Sequence, residues 1–440
     1  MEDEKTKGRL EQLGIKSLNE MQIKMSDAVP NHQDIVLLSP TGSGKTVAFL
    51  LPLLEKLTSE KHIQALVLVP SRELALQIET VFKQLKSGFK VSCCYGGHAI
   101  KTEINNLTES PALLIGTPGR VDDLLKRNLL DLSHVSTIVL DEFDKSLQLG
   151  FQEEMTYILR KLKKLKNRIL TSATNLDVIP DFVGLQAPHY LSFLDTIKTN
   201  THFELKKVIF TGDLNDKLYP LHLLISKLSN QSILVFFNHR DAVKRVSDYF
   251  IEKNIVHAVF HGELKQDERE RTLAKFRNGS CQIVLATDLA ARGLDIPEID
   301  AVIHYHLPTT LDAFTHRNGR TARMNATGTA YLLLPENAKV PKFIPNDIES
   351  ECLPKSLTKL IEPKWETLYI NKGKKDKINK SDIVGFLFQK GKLNKDELGK
   401  IEVKDFHSFA AIARNKIKEV IRNIDNQKIK NQKPKFEIAR

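Results

Sequence analysis

The chain has 440 residues, 41% of them hydrophobic and 27% charged, and its 65 Lys and Arg outnumber its 54 Asp and Glu. This length is too great for a single hydrophobic core, so two or three globular domains are expected. The longest apolar runs are short and strand-like, well below the roughly 18 residues of a membrane-spanning helix. The charged N-terminus predicts no secretory signal, and four cysteines without zinc or disulfide spacing indicate a reducing, cytoplasmic setting.

Two series of short apolar strands alternate with longer amphipathic stretches. The first series comprises DIVLLS, ALVLVP, KVSCCYG, ALLIGT, TIVLDE and RILTSA. The second comprises KVIFTG, SILVFF, HAVFHG, QIVLAT, AVIHYH and GTAYLLL. Nearly continuous apolar strands that alternate with helices indicate a parallel sheet covered on both faces. We therefore predict two tandem α/β domains, over residues 1–200 and 204–336, with a hinge near residues 196–203.

The rest of the chain differs in composition. Residues 337–364 are rich in proline and lack periodicity, which indicates a linker. Residues 365–440 follow the order β-α-β-β-α-β, which predicts a small ferredoxin-like α+β domain of the kind found in many RNA-recognition modules. Residues 361–440 carry 20 Lys and Arg against 11 Asp and Glu, whereas the rest of the chain carries 45 against 43. A basic module on a nearly neutral body suggests a polyanionic partner.

A phosphate-binding loop is predicted at SPTGSGKT, which follows an apolar strand and opens a helix. Gly42 and Gly44 allow backbone N–H groups to curl around phosphates, and the helix N-terminus adds positive potential. Lys45 can reach the β- and γ-phosphates, and the Thr46 hydroxyl can ligate Mg²⁺. The predicted nucleotide-binding residues of the loop are Ser39, Pro40, Thr41, Gly42, Ser43, Gly44, Lys45 and Thr46.

Three acidic residues follow the strand TIVL in the stretch DEFD. Clustered carboxylates repel each other, so a fold that gathers them usually supplies a cation. Asp141 ends a parallel strand, where such sheets place ligands, and it can hold Mg²⁺ bound to the phosphates. Glu142 is then placed to orient or deprotonate a water in line with the γ-phosphate.

From about residue 10 to residue 336, the chain resembles the DEAD-box RNA helicases. Their motifs occur in family order as PSREL, GG, TPGR, DEFD, SAT, LVFFN, QDER, ATDLAARGLD and HRNGRTAR. The resemblance implies two tandem RecA-like phosphate-loop domains with parallel sheets, and ATP and Mg²⁺ as cofactors. One departure is Phe143, which stands where the family has Ala and which we interpret as a packing residue.

The resemblance also implies roles for residues outside the phosphate loop. Arg320 and Arg323 would be arginine fingers on the γ-phosphate, and Asp295 would contact the ribose. Gln22, in LGIKSLNEMQ, would hydrogen-bond the adenine edge, although the aromatic residue usual upstream is replaced by Lys5. The residues implied in coupling nucleotide state to domain geometry are Ser172, Thr174 and His316.

Single-stranded RNA is the implied ligand of the two RecA-like domains. Its backbone would be contacted by Arg72, Gly97, Thr117, Arg120, Thr287 and Gly293. Contacts with phosphates and sugars carry no sequence information, and 2′-hydroxyl contacts distinguish RNA from DNA. Binding of a bent strand would open a short duplex locally, without translocation.

The basic tail resembles the C-terminal RNA-binding domain of the DbpA and CsdA type of bacterial DEAD-box proteins, through GKKDK, DIVG and GKIEV. Its densest basic patch, and the predicted RNA contact, is Lys372, Lys374, Lys375 and Lys377. A second patch is Lys416, Lys418 and Arg422. Tyr369, Phe406 and Phe409 are candidates for stacking on bases, or alternatively for filling the core.

The sequence therefore predicts a monomeric, cytoplasmic, Mg²⁺-dependent ATP hydrolase that unwinds structured RNA, with ribosomal RNA and ribosome assembly as the expected setting. Glu142, Asp141, Lys45, Arg320 and Arg323 are the predicted catalytic residues. Two alternatives remain open. One is an ATP-gated RNA clamp or chaperone with weak unwinding, and the other is a DNA translocase on the same scaffold.

Overall fold

The computed structural model describes residues 4–40, 42–97, 100–176, 178–194, 203–211, 217–288, 299–321 and 328–439. The chain divides into two compact units, with the division after residue 201. Among the described residues, no helix is both long and apolar enough to cross a membrane.

Seven strands form the sheet of the first unit: β1 (Asp34–Leu38), β2 (Ala65–Leu68), β3 (Val91–Cys94), β4 (Leu113–Gly116), β5 (Thr137–Leu140), β6 (Asn167–Ser172) and β7 (His189–Ser192). They pair in parallel in the order β3-β4-β2-β5-β6-β1-β7. The described helices are α1 (Glu4–Gln12), α2 (Glu20–Asn31), α3 (Lys45–Lys56), α4 (Arg72–Gln84), α5 (Ile100–Leu107), α6 (Pro118–Lys126), α7 (Phe143–Gln148) and α8 (Gln152–Lys161), and Asp181–Val183 is a 3₁₀ turn.

Apolar cores lie on both faces of this sheet, because successive side chains of each strand point to opposite faces. On β1, Ile35 and Leu37 join the core that contains residues of α2, α3 and α4. Val36 and Leu38 join the core that contains residues of α6, α7 and α8. The predicted two-sided parallel sheet is confirmed. Loops that follow β1 and β5 consequently leave the sheet at its carboxyl edge, where open α/β sheets bind ligands.

The second unit contains another sheet of seven strands: β8 (Phe203–Phe210), β9 (Ile233–Phe237), β10 (Ala258–Phe260), β11 (Ile283–Thr287), β12 (Ala301–His304), β13 (Gly328–Pro335) and β14 (Glu349–Ser350). These strands are parallel in the order β10-β11-β9-β12-β13-β8-β14. Its described helices are α9 (Leu218–Lys227), α10 (Arg240–Glu252), α11 (Gln266–Arg277) and α12 (Leu311–Asn318).

The proline-rich segment lies along this second sheet domain. Its strand β14 pairs with β8 at the sheet edge. Further on, the Thr358 hydroxyl donates to the Ser226 carbonyl at 2.9 Å, and the Ile361 N–H donates to the Ser229 hydroxyl at 3.1 Å. The segment is therefore bound to the domain at several points. The domain limits drawn from the sequence remain a prediction.

The last domain has the predicted β-α-β-β-α-β order: β15 (Trp365–Ile370), α13 (Lys380–Gln389), β16 (Leu398–Val403), β17 (Ser408–Ala413), α14 (Ile417–Ile424) and β18 (Phe436–Ile438). The strands form an antiparallel sheet in the order β16-β17-β15-β18. One face of this sheet packs with α13 and α14 around Leu368, Ile370 and Ile412. The other face packs against α11 of the preceding domain. Both domains lie within the second compact unit.

Candidate nucleotide-binding and RNA-binding residues

The phosphate loop connects β1 to α3. Two of its glycines have backbone conformations that other residues rarely adopt. Gly42 has φ +82° and Gly44 has φ +92°, both in the left-handed region. A Cβ on Gly44 would lie 2.6 Å from Nε2 of Gln22. The backbone angle therefore requires glycine at position 44, whereas the Gln22 side-chain amide could move away from an added Cβ. Thr41 lies outside the described residues.

Lys45 is the first residue of α3 and is buried. Its ammonium donates to the carbonyl oxygens of Ser39 at 2.5 Å and Pro40 at 2.8 Å. Burial lowers the pKa of Lys45, against the opposing effect of the nearby carboxylates, first Asp141 and then Glu142. A charged ammonium held inside the loop is placed to meet the phosphates of a nucleotide.

Asp141 follows β5 directly and is 3% exposed. Its carboxylate accepts hydrogen bonds from the Thr171 hydroxyl and, at 3.1 Å, from the Glu142 N–H. Burial raises the pKa of Asp141, while the Thr171 hydrogen bond and the Lys45 charge act in the opposite direction. Thr171 is a site residue that the sequence analysis missed, since it acquires its role only when β6 pairs with β5.

Two observations test whether Mg²⁺ fits this site. The buried Asp141 carboxylate lies in a desolvated setting that a cation would stabilise, and Oδ1 of the buried Asp144 has no hydrogen-bond partner. Within the described part of the chain, no group of three or more His, Cys, Asp and Glu could hold a metal. Mg²⁺ is commonly held by one or two protein oxygens together with substrate phosphates, so Asp141 and the half-buried Thr46 suit it.

Glu142 has a strained backbone. With φ +47° and ψ +50° it lies in the left-handed region, where a residue with a Cβ pays roughly 1–2 kcal/mol. Its N–H contacts both the Asp141 carboxylate and, at 3.3 Å, the Thr171 hydroxyl. Strain of this kind concentrates at functional sites. These two contacts hold the turn that places Glu142 between β5 and α7, at the same sheet edge as the phosphate loop.

The SAT segment, residues 172–174, is bound to the acidic turn, which comprises residues 141–144. The Thr174 hydroxyl donates to Oδ2 of Asp144 at 3.1 Å, and the Ser172 hydroxyl donates to the Thr174 carbonyl at 2.8 Å. The structure therefore brings together the two predicted coupling residues of this unit and the acidic turn. Phe143 is fully buried and its ring lies 6.3 Å from that of Phe182, which confirms the packing interpretation.

Gln22 lies beside the phosphate loop. It forms a reciprocal capping box with Asn19 at the start of α2, and its Nε2 donates to the Gly44 carbonyl at 3.3 Å. Asn19 also donates to the Ser43 carbonyl at 3.0 Å. The start of α2 is therefore hydrogen-bonded to the phosphate loop. A hydrogen bond from Gln22 to the adenine edge stays a prediction.

Three of the predicted RNA contacts of the first unit, Arg72, Gly97 and Arg120, lie close to Tyr95. The Arg72 guanidinium lies 4.6 Å from the Tyr95 ring centroid, and a Cβ on Gly97 would lie 2.5 Å from Nη1 of Arg72. Arg120 donates to the Tyr95 carbonyl at 3.2 Å and pairs with the buried Glu103 at 3.1 Å. Thr117, the N-cap of α6, adjoins this group through its N–H, which donates to the carbonyl at the end of β3. Tyr95 was missed, although its place directly after β3 was a usable signal.

In the second unit, Arg320 and His316 are both buried, at 4% and 5% exposure. The fully buried Arg317 between them was missed by the sequence analysis. It makes a bidentate pair with Asp288 at 2.5 and 2.6 Å and donates to Oδ1 of Asn238 at 2.7 Å. Arg317 thereby joins α12 to the segments that follow β9 and β11. Thr287 ends β11, whereas Gly293, Asp295 and Arg323 lie outside the described residues.

The four predicted lysines of the tail share the turn that follows β15. Lys372 pairs with Asp376 at 2.9 Å, while Lys374, Lys375 and Lys377 are exposed. The structure brings them together; whether they contact RNA stays a prediction.

Comparison with protein families finds three matches along the chain. The DEAD/DEAH box helicase family matches residues 19–180, the helicase conserved C-terminal domain matches residues 215–325, and the DbpA RNA binding domain matches residues 367–438. The matches follow the order of the two parallel-sheet domains and the antiparallel domain.

Individual relatives are similar over most of the chain. ATP-dependent RNA helicase DbpA of Escherichia coli is 29% identical over 96% of this chain and 94% of its own length. DEAD-box ATP-dependent RNA helicase CshC of Bacillus cereus is 32% identical over 76% of this chain and 86% of its own. The mitochondrial DEAD-box ATP-dependent RNA helicase 9 of Arabidopsis thaliana is 34% identical, and this chain spans only 57% of its length.

Solved structures show the same fold. Dbp5 of S. cerevisiae bound to RNA and ADP BeF3 has a TM-score of 0.69 and 25% identity, over 80% of this chain and 94% of that one. Mss116 bound to single-stranded RNA and UDP-BeF, 24% identical with a TM-score of 0.70, covers 80% of this chain and 78% of its own.

Proposed function

The chain belongs to the DEAD-box family of ATP-dependent RNA helicases, and from this premise we propose that it hydrolyses ATP when bound to RNA and opens short RNA duplexes. The observation that carries the proposal is the gathering of the phosphate-loop lysine, the acidic turn and the SAT segment at one edge of the first sheet. A phosphate-binding loop without the acidic turn would account for nucleotide binding alone.

Within the ATP site, different residues of the chain bind the phosphates, hold Mg²⁺ and act on the attacking water. The N–H groups of the loop and the Lys45 ammonium bind the phosphates, as the loop geometry and buried ammonium support. Asp141 and Thr46 would hold Mg²⁺, which neutralises phosphate charge when bound. Glu142 orients the attacking water and accepts its proton. Arg320 and Arg323 supply positive charge to the γ-phosphate, a contribution worth roughly 10³–10⁵ in rate.

Further residues are proposed to recognise the nucleoside and to link hydrolysis to RNA. Gln22 binds the adenine edge and Asp295 the ribose. Ser172 and Thr174 transmit the state of the nucleotide, and this role is supported by the hydrogen bonds from Thr174 to Asp144 and from Ser172 to the Thr174 carbonyl. His316 serves the same purpose in the second unit.

RNA is proposed to be held by its backbone. Arg72, Gly97, Thr117 and Arg120 contact phosphates and sugars in the first unit, supported by their grouping around Tyr95. Such contacts position the strand without reading its sequence. Thr287 and Gly293 are the proposed contacts of the second unit.

The finer assignment concerns the target. We propose that the C-terminal domain anchors the protein to structured RNA through Lys372, Lys374, Lys375 and Lys377, and that the RNA is ribosomal, with ribosome assembly as the setting. The match of residues 367–438 to the DbpA RNA binding domain supports this, as does the net charge of +9 in residues 361–440. A cytoplasmic monomer is part of the same proposal.

Steady-state ATPase activity tests the proposal. The purified protein is measured without nucleic acid, with single-stranded DNA, with poly-RNA and with large-subunit ribosomal RNA fragments. Stimulation by RNA and not by DNA is expected, with the largest effect for ribosomal RNA, and Glu142→Gln should abolish turnover while retaining ATP binding. Equal stimulation by all RNA would refute the ribosomal target, and stimulation by DNA would favour a translocase. ATPase without release of a short duplex would indicate an RNA clamp.

A further inference from the structure

The open face of the C-terminal sheet is occupied by the neighbouring domain. Tyr369 on β15 and Phe409 on β17 are directly paired in register on this face. The Arg271 guanidinium of α11 lies 4.1 Å from the Tyr369 ring centroid and pairs with Glu437 of β18 at 2.7 Å. Nδ2 of Asn278 donates to the Thr367 hydroxyl at 2.9 Å.

Stacking of bases on this face is therefore blocked while the two domains are packed together. Phe409 is 1% exposed, and its ring centroid lies 5.7 Å from that of Tyr369 and 5.1 Å from that of His407. The Arg271 guanidinium already occupies a position over the Tyr369 ring. Of the three candidate stacking aromatics in this domain, Phe406 alone has an exposed ring, at 55%.

Phe406 lies in the hairpin between β16 and β17, and this hairpin is joined to the lysine-rich turn after β15. The N–H of Lys374 donates to the Lys404 carbonyl and the N–H of Lys375 to the Asp405 carbonyl, both at 2.8 Å. A Cβ on Gly373 would lie 2.2 Å from the Lys404 carbonyl oxygen. The two loops are thus in direct backbone contact.

A third loop, between α14 and β18, completes the group. The Lys430 ammonium donates to the Lys377 carbonyl at 3.0 Å, and the N–H of Lys435 donates to Oδ1 of Asn371 at 2.6 Å. We call residues 371–379, 404–407 and 428–435 together the loop cluster.

Charge in the loop cluster is almost entirely positive. Its lysines are Lys372, Lys374, Lys375, Lys377, Lys404, Lys428, Lys430, Lys433 and Lys435, against Asp376 and Asp405. The Asp376 carboxylate is engaged by the Lys372 ammonium at 2.9 Å and by the Gly373 N–H at 3.1 Å. Lys430 also pairs with the neighbouring Asp382 at 2.7 Å, and Lys404 with Glu402 at 3.4 Å. A strong positive excess remains beside one exposed aromatic ring.

We propose that the loop cluster is the RNA anchor of the C-terminal domain, and that it holds an unpaired nucleotide with the base stacked on Phe406 and the flanking phosphates against the lysines. An exposed ring can stack on any base, because every base has a π-face. Unpaired bases of loops and bulges are free to stack, whereas paired bases are not. This inference rests on the proposed function and names the surface by which the tail takes RNA.

The test uses the full-length protein without nucleotide and two probes: a 12-nucleotide oligo(U), and an RNA stem-loop with an unpaired loop. Each carries one 2-aminopurine, whose fluorescence falls when it stacks on an aromatic ring. Wild-type protein should quench the stem-loop probe. Phe406→Leu should remove the quenching and weaken binding about 5- to 150-fold. Phe406→Tyr should retain both.

Phe388→Leu is the matched control, because Phe388 is a 37% exposed phenylalanine of the same domain, on α13. It should leave affinity and quenching unchanged. Lys374→Gln should lower the magnitude of the slope of log affinity against log salt by about 0.7, the value for one phosphate contact on a single strand. Both phenylalanines are exposed, so equal thermal unfolding of the variants is expected.

Three results would overturn the inference. The first is unchanged binding and quenching in Phe406→Leu. The second is quenching that grows in Arg271→Ala, which would assign the stacking to the uncovered sheet face. The third is competition by polyglutamate as strong as by RNA, which would indicate a surface for acidic proteins. RNA-stimulated ATPase of the wild type is measured in parallel, because its absence would refute the proposed function while leaving the binding result to decide on the loop cluster.

Discussion

Thr171 offers the sharpest test of how the acidic turn is held. It is fully buried in β6, and its hydroxyl donates to the Asp141 carboxylate while accepting the Glu142 N–H. Thr171→Val keeps the branched shape of the side chain and replaces the hydroxyl with a methyl group. The carboxylate then retains the Glu142 N–H as its hydrogen-bond donor.

The magnitude follows from the charge of the acceptor. A hydrogen bond to a charged group contributes about 1.5–3 kcal/mol. Since each 1.36 kcal/mol changes a rate tenfold, a loss felt fully in the transition state lowers kcat/KM by about 10- to 150-fold. The Glu142 N–H also donates to this hydroxyl, so the change disturbs Glu142 as well and kcat should fall more than KM rises.

The assay combines RNA-stimulated ATPase, binding of a fluorescent ADP over a range of Mg²⁺ concentrations, and urea unfolding. We expect a higher Mg²⁺ requirement for ADP binding in Thr171→Val, because the Asp141 carboxylate has lost one of its positioning contacts. Thr171→Ser restores the hydroxyl and should recover most of the activity.

Thr137→Val is the matched control, since Thr137 is also buried but lies at the opposite end of β5 from Asp141. It should change kcat and the Mg²⁺ requirement little. If Thr171→Val matched wild type in both measurements, or if Thr137→Val were equally impaired, the positioning role would be refuted.

Three further predictions concern other parts of the molecule. Burial lowers the pKa of His304 to about 3 and that of His306 to about 4, from the ordinary value of 6.5. As the pH falls, these histidines therefore bind protons in the unfolded chain before they do so in the folded protein. The free energy of unfolding should drop between pH 6.5 and pH 4, by up to about 3 kcal/mol from His306 alone, and urea unfolding of His306→Asn should show a weaker dependence. Arg277→Glu should loosen the packing of the C-terminal domain, because Arg277 pairs with Glu402 at 3.3 Å. Glu402→Arg in the same chain should restore the packing. A double-mutant cycle of urea unfolding should give a coupling of about 0.5–3 kcal/mol, and the absence of coupling would contradict the contact. Gly44→Ala should weaken binding of a fluorescent ATP analogue more than tenfold, since a residue with a Cβ is strained at φ +92° and would displace the Gln22 side chain; near-normal affinity would argue against the loop geometry.

Much of the fold could be predicted from local patterns. Strands β1–β6 and β9–β13 coincide with apolar runs, because strands buried on both faces need apolar side chains at successive positions. Only the second half of β8 coincides with such a run. Strands β7 and β14 were missed. Alternate side chains of β7 are exposed, and β14 is two exposed residues long, so neither leaves an apolar run.

The candidate site divides in the same way. The phosphate loop is one continuous stretch of the chain, and the acidic turn is another. Residue type and spacing within each stretch therefore predicted Lys45 and Asp141. The hydrogen bond from Thr171 to Asp141 joins residues 30 positions apart and exists only because β6 lies beside β5. Arg317 was not recognised, although it lies between His316 and Arg320, because its buried pair with Asp288 depends on segments that are distant in the chain.

The amino-acid sequence by itself determined the two parallel-sheet domains, the phosphate loop, the acidic turn and a basic C-terminal domain, because each depends on periodicity or on residues close together in the chain. Only the tertiary structure decided which tail aromatic is open to a ligand. Tyr369, Phe406 and Phe409 are equivalent as sequence signals, yet α11 covers the sheet face and leaves Phe406 exposed. The packing of one domain on another depends on surfaces assembled from distant segments, and no local pattern records it.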